Sequence, residues 1–494
     1  MHDAIVIGGG PAGSTVATRL AQKKRRVVLF EAERFPRFHI GESLLPASVP
    51  LFEELGVKSR MDERYLRKNA AEFVSFDGSL TRRYPFSESL IGGPGFSYEV
   101  DRASFDSLLL QNAIERGVDV RQGHEVSNIE FDSDGVSVRV RDEQGAVAEH
   151  RAKILLDASG QRSLLAGRLG LREMDAGLKN FAVFSHFEGA QRHSGDREGD
   201  ITVVLSPEGW WWVIPLRDDR TSVGMVAPAR ILRGQKPDEK YFTAQIERCP
   251  YLAERLAKAR RVAPVRTISD YSYASKRIVG KRWLLVGDAA AFIDPVFSTG
   301  VCLGMLGGFK AADAVDRALS NGGSGRFGAY ERWVKTTVGQ YRRFVKGFYT
   351  PEFVEVLMHP SDTLELRRAV TSLLAGLAPG RFDIFWRALA FQGIARINRV
   401  LPLTPRLAER REAQSGNRSS DRSRRRPKRS CACIRLEFPA SSSPSSRWEK
   451  STGSPCSKMR RARSGARSRS AERGSGSGRP KARSRVFRFI RARS

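Results

Sequence analysis

The sequence predicts an α/β protein: a Rossmann-type dinucleotide-binding unit, a β-rich segment and a run of C-terminal helices. Three observations carry this. An apolar strand at 4–7 runs straight into Gly8-Gly9-Gly10-Pro11-Ala12-Gly13 and a helical pattern. A second apolar strand, at 283–286, ends in Gly287-Asp288. Between them residues 180–227 are β-rich and contain Gly209-Trp210-Trp211-Trp212-Val213-Ile214-Pro215.

The first strand, a helix to about residue 23 and a strand at 27–30 make a βαβ start. In Gly8-x-Gly10-x-x-Gly13 the three glycines allow, in turn, a tight turn, close approach of a pyrophosphate, and tight helix–sheet packing. The helix N-terminus offers unpaired N–H groups and a positive dipole end to that anion. Glu31 ends the second strand, where a carboxylate accepts from ribose hydroxyls. The motif alone does not separate FAD from NAD.

Residues 35–46 form a loop bounded by Pro36 and Pro46. A helix follows at 102–116, with Phe105, Leu108, Leu109 and Ala113 on one face. Strands are expected near 118–131, 135–141 and 146–150, with Asp134-Gly135 as a hairpin turn. A buried strand at 154–156 ends in Asp157-Ala158-Ser159-Gly160. In the tryptophan run, strand alternation places Trp210 and Trp212 on one face and Trp211 on the other. A helix begins near 301, and helical patterns continue to about 400. The expected organisation is therefore 1–175 with 265–320, a β-rich unit at 176–264, helices at 321–412 and a tail at 413–494.

Of 494 residues, 84 are Lys or Arg and 54 Asp or Glu, a net charge of +30. This is not the profile of a nucleic-acid reader. Residues 413–494 hold 24 basic and 4 acidic residues, two thirds of the excess. That tail is rich in Arg, Ser, Gly, Pro and Ala and too poor in aliphatics to offset ordering entropy. It has no zinc spacing or recognisable nucleic-acid motif, so no nucleic-acid partner is expected. Its composition is also that of GC-rich DNA translated out of frame. Cys249 and Cys302 are the body's two cysteines, too few for a disulfide framework and unsuited in spacing to a metal site. No apolar run reaches the ~18 residues of a membrane span. Together these readings point to a cytoplasmic protein.

Gly8–Gly13, Asp157–Gly160 and the 283–304 segment together resemble the FAD-dependent oxidoreductases of the para-hydroxybenzoate hydroxylase type. Trp210-x-Trp212-x-Ile214-Pro215, residues 35–46 and Asp294-Pro-Val-Phe-Ser-Thr-Gly300 narrow the likeness to the flavin-dependent halogenases. It covers roughly residues 1–350 and is specific, because three separated motifs agree in order.

The resemblance implies a three-layer β/β/α FAD-binding domain, with FAD used as FADH2. It places Gly8, Gly10, Ala12, Gly13, Glu31, Arg37, Ile40, Glu42, Ser43, Arg102, Val126, Asp288 and Gly300 on the cofactor. Arg37 and Arg102 would lie along the flavin's polar chain, and Asp288 would bond the ribityl group. Glu42, with His39 in the same strap, is expected to position backbone. Ser298, Thr299 and Gly300 would hold a chloride or bromide ion as co-substrate. Trp210 and Trp212 would wall the organic substrate off from the flavin. Reduced flavin would come from a separate NAD(P)H-dependent reductase. Hypohalous acid would cross to Lys68, which would present the halogen to an aromatic carbon.

Lys68-Asn-Ala-Ala-Glu-Phe73 resembles the family's Lys-x-Gly-Ala-x-Phe stretch, with Ala70 in place of Gly and a different continuation from Val74. A lysine working by amine chemistry should be desolvated, with a lowered pKa. Tryptophan halogenases carry a glutamate where this chain has Phe297. Phenol- and pyrrole-type halogenases, including those using carrier-tethered substrates, have Phe. Electron-rich rings need less help with proton loss, so a small phenolic or pyrrolic substrate is expected. A halogenase-like monooxygenase, or a reductase similar to the geranylgeranyl reductases, is the alternative.

Overall fold

The structure is a computed structural model describing residues 1–407, apart from 233, 235, 270, 271, 323, 324 and 379. The expected basic tail lies outside the described residues.

The first sheet runs in the order Asp119–Gln122, Val27–Glu31, His2–Ile7, Val147–Asp157, Val136–Arg141, Glu125–Phe131. The first four strands are parallel to one another, and Trp283–Leu285 adds a fifth parallel strand beside Val147–Asp157. The last two form an antiparallel hairpin extension. The sequence pattern separates strands at 146–150 and 154–156; they are one strand, Val147–Asp157. Its first half is an exposed partner of the hairpin and its second half is buried between two parallel neighbours. Two environments give one strand two patterns, which the sequence shows as a break.

Helix Pro11–Gln22 lies against Thr299–Ser320, which starts two residues earlier than expected. Small residues set their spacing. A Cβ on Gly308 would meet the carbonyl of Ala12 at 3.2 Å, and one on Gly304 would meet Ala12 Cβ at 3.4 Å.

The second sheet has the order Arg260–Arg261, Asn180–Glu188, Arg220–Pro228, Trp210–Pro215, Ile201–Leu205, Ala70–Val74, Thr81–Pro85. It draws chain from both sides of residue 176. The tryptophan strand is central and buried on both faces. Alternation splits it as the period requires. Trp210, Trp212 and Ile214 join a core with Phe297, Phe344 and Phe348, whereas Trp211 and Val213 pack with Phe242 and Leu252 on the other face. Helices Gly328–Phe348, Pro351–Met358, Leu366–Leu374 and Phe382–Val400 contribute to the Trp210–Trp212 core.

Trp212 lies across the backbone of its neighbour Gly224. A Cβ there would stand 2.2 Å from Trp212 Cζ2, a contact no rotamer of so buried an indole relieves cheaply. Gly224→Ala should therefore lower the melting temperature by at least about 3 °C and alter the near-ultraviolet circular dichroism. An unchanged melting curve would show that the indole has freedom to move aside.

Candidate active site

One cavity of about 460 Å³ runs between the two sheets. Its walls carry Gly8, Gly10, Ala12, Glu31, Arg37, Ile40, Glu42, Ser43, Arg102, Val126, Asp288, Ser298, Thr299 and Gly300, together with Trp210 and Trp212. Gly13 is not on the wall. A Cβ there would lie 1.9 Å from the Gly8 carbonyl, so this glycine serves the close packing of helix on turn. Gly8 has a left-handed φ of 97°, and a Cβ on it would strike the Ala158 carbonyl at 2.4 Å. At Gly10 the nearest protein atom to a Cβ is Arg37 Nη2 at 3.5 Å, leaving the turn accessible from the cavity.

Glu31 is oriented by its own strand end. Oε2 accepts from the Gly9 N–H at 2.6 Å and Oε1 from the Glu33 N–H at 2.9 Å. Arg102, buried at the start of helix Arg102–Glu115, bonds both oxygens of Asp106 (2.8 and 3.0 Å) and donates to the Ile40 carbonyl. Arg37 stacks over Phe35 at 4.5 Å and pairs with Asp106 and Glu33. Both arginines thus hold the strap as well as facing the cavity.

The strap itself pairs with strand Ser97–Glu99: Val100 N–H donates to Glu42 O at 2.7 Å and Leu44 N–H to Tyr98 O at 2.9 Å. Glu42 Oε1 meets His186 Nε2 at 2.6 Å, a positioning contact to the second sheet. His39 Nδ1 contacts the Ile40 carbonyl at 2.8 Å.

Lys68 is buried, at 1% exposure, at the end of the short strand Leu66–Lys68. It is not on the cavity wall. It stands one hydrogen bond behind it: Nζ donates to Ser43 Oγ at 2.8 Å and to the Leu44 carbonyl at 3.1 Å, over the Phe86 ring. Ser43 Oγ in turn donates to Glu99 Oε1 at 3.0 Å. Burial lowers the Lys68 pKa, with Glu99 and Asp200 opposing; burial raises that of Glu99 well above the carboxylate range, with Lys68 opposing. Each group is driven toward its neutral form. Sequence reasoning misses Glu99 altogether, because nothing local marks it as Lys68's partner.

The indole centroids of Trp210 and Trp212 are 6.0 Å apart. Trp212 Nε1 donates to Ser222 Oγ at 3.1 Å and Trp210 Nε1 to the Tyr349 hydroxyl at 3.0 Å. Ser298 has a left-handed φ of 54° and opens helix Thr299–Ser320, so the first residues of a 22-residue helix, whose amides lack intrahelical partners, line the cavity. Phe297 is buried against Phe344 and Phe348, with centroids at 5.3 and 5.7 Å.

The cavity carries a dinucleotide cradle and paired indoles, and a buried lysine stands one hydrogen bond behind its wall. Residues 3–87 and 68–353 fit the tryptophan halogenase family. The chain belongs to that family. It is an FAD-dependent halogenase-type oxidoreductase, with halide as co-substrate.

Among its relatives, the 1H-pyrrole-2-carbonyl-(peptidyl-carrier protein) chlorinase of Pseudomonas fluorescens is 32% identical over 70% of this chain and 83% of its own. The corresponding brominase of Pseudoalteromonas luteoviolacea is 33% identical over 67% and 82%. The solved myxobacterial chondrochloren halogenase CndH superposes with a TM-score of 0.66 at 32% identity, over 79% of this chain and 97% of that one. A flavoprotein/dehydrogenase from Cytophaga hutchinsonii reaches 0.75 at 27% identity, over 81% and 99%.

The halogenase's own residues fit FAD. Gly10 leaves the turn open to a pyrophosphate, Glu31 is fixed at the strand end, and Asp288 stands on the wall by Gly287, another left-handed glycine (φ 62°). Burial pushes the Asp288 carboxyl from 3.8 up to about 6, with Arg102 pulling the other way. A carboxyl raised in the fold stabilises it fully below its unfolded value. That contribution is lost as pH rises from about 4 through about 6. For the FAD-free protein, Asp288→Asn should therefore raise the melting temperature above pH 6 and leave it nearly unchanged near pH 4. Equal melting shifts at pH 4 and pH 7.5 would rule out this origin.

Proposed function

We propose that this enzyme halogenates a phenolic or pyrrolic ring, free or tethered to an acyl or peptidyl carrier protein, using chloride or bromide. One observation carries the reading. Trp210 and Trp212 line the same cavity as the dinucleotide cradle, and Lys68 lies buried one hydrogen bond behind that cavity's wall at Ser43. Bound reduced FAD, renewed by a separate NAD(P)H-dependent reductase, would supply with dioxygen the oxidising power that converts halide to hypohalous acid.

The chain's residues divide the remaining work. Gly8, Gly10, Ala12 and Glu31 hold the dinucleotide, with Arg37, Ile40, Glu42, Ser43, Arg102, Val126 and Asp288 along its length. Gly13 acts through packing. The amides of Thr299 and Gly300, after Ser298, receive the halide at a helix N-terminus. Two indoles exclude the organic ring from the oxidising end. Lys68, driven toward its neutral amine, has the lone pair that takes up halogen from hypohalous acid: N–halogen forms, O–halogen and one amine N–H break, and the hydroxide and proton leave as water.

Phe297 supports an electron-rich ring, because no carboxylate stands there to assist proton loss. The pyrrole-carrier relatives support the tethered form. Cys249 and Cys302 are buried and remain thiols, which suits a cytoplasmic setting.

The test supplies FADH2, dioxygen and bromide or chloride with a phenol, a pyrrole or monochlorodimedone. Halogenated product is expected. Lys68→Met, which keeps the volume and removes the amine, should lower its rate by at least about 100-fold while FAD binding persists. Hydroxylated or alkene-saturated product would overturn the reading in favour of a monooxygenase or reductase.

A further inference from the structure

The Tyr349 hydroxyl joins the indole barrier to the turn that precedes the halide end. Tyr349 caps helix Gly328–Phe348. Its oxygen accepts from Trp210 Nε1 at 3.0 Å and donates to Asp294 Oδ2 at 2.8 Å. The polarity is fixed, because an indole only donates and a carboxylate only accepts. Asp294 is buried on the cavity wall, accepts from Asn180 Nδ2 at 2.9 Å, and caps the turn Pro295–Phe297 through the Val296 N–H at 3.1 Å. That turn delivers Ser298 in its left-handed conformation to the start of the long helix. The residue before Tyr349 clamps the same two parts by packing. Phe348 meets Trp210 at 6.5 Å and Phe297 at 5.7 Å, both nearly edge-on.

We propose that Tyr349 is a positioning residue for halide oxidation. It holds the Trp210 indole across the cavity and the Asp294 turn at a fixed distance from it, so that oxidising equivalents reach halide and not solvent or the organic ring. Asn180 braces the same carboxylate from the second sheet. The proposal rests on the halogenase reading above, so its test includes a readout independent of halogenation.

In the FAD-loaded enzyme, Tyr349→Phe removes the hydroxyl and keeps the ring. Halogenated product per FADH2 consumed should fall about two- to tenfold, the range of one hydrogen bond, with a matching rise in hydrogen peroxide. KM for halide should rise, while FAD affinity and KM for the aromatic ring stay unchanged. Trp210→Phe, which removes the indole N–H, should produce the same uncoupling, and the double variant should be no worse than either single. Additive losses, or an unchanged ratio of product to peroxide, would overturn the proposal.

The indole N–H resonance of Trp210, recorded with the same holoenzyme, should move on Tyr349→Phe whether or not the enzyme halogenates. A stationary resonance counts against the link itself. A moved resonance with no halogenated product from the wild type instead counts against the halogenase reading. Where Tyr349→Phe fails to fold, Trp210→Phe carries the product-to-peroxide test.

Discussion

The strap from Ile40 to Leu44 is the constraint on which the site depends. It is held as an added strand against Ser97–Glu99 by two backbone hydrogen bonds. Neighbouring residues of an extended strand point to opposite sides, so one short segment can serve several elements. Arg102 takes the Ile40 carbonyl from helix Arg102–Glu115. His186 takes Glu42 from the second sheet. Lys68 takes Ser43 and the Leu44 carbonyl from a third, short strand. A shift of this strap by one residue would exchange Glu42 for Ser43 and break all three connections at once.

That arrangement makes Lys68 expensive to hold. A buried ammonium and a buried carboxylate each lose several kcal/mol of hydration, and a single intervening hydroxyl recovers only part of it. Among the described residues Glu99 Oε2 has no hydrogen-bond partner. A chain selected for stability alone would place two apolar residues here. Keeping a lysine pushed toward its neutral form, beside a carboxyl pushed the same way, is a pattern of functional sites more than of structural ion pairs. The strap supplies the shield that makes this shift possible, because Ser43 stands between Lys68 and the cavity.

Legibility in the sequence follows the range of the interactions. Gly8, Gly10 and Glu31 act within one βαβ unit, so spacing is enough to place them. The alternation of Trp210, Trp211 and Trp212 is likewise a local property of a strand, and the two cores form as it requires. The 147–157 strand reads as two because its halves lie in different environments. The partners of Lys68 are invisible in the sequence: Ser43 is 25 residues away and Glu99 reaches it through Ser43. Tyr349 lies 139 residues from Trp210, at a helix end with no motif of its own. Hydrogen bonds between elements that only the tertiary fold brings together leave no periodic trace.

The aromatic residue at 297 has a packing reason beside the chemical one proposed above. Phe297 contacts Phe344, which contacts Phe353 and Phe391 in turn, so its ring is continuous with the core of the C-terminal helices. A carboxylate at a position only 3% exposed, with these rings around it, would lose its hydration without a donor to replace it. The helices that close this end of the molecule therefore exclude a glutamate from position 297. A change that admitted one would have to open the Phe344–Phe391 cluster or bring a basic partner into it. On the proposed reading, the choice between a ring that needs an assisting carboxylate and one that does not is thus tied to how Gly328–Phe348 and Phe382–Val400 pack, and is not altered at residue 297 alone.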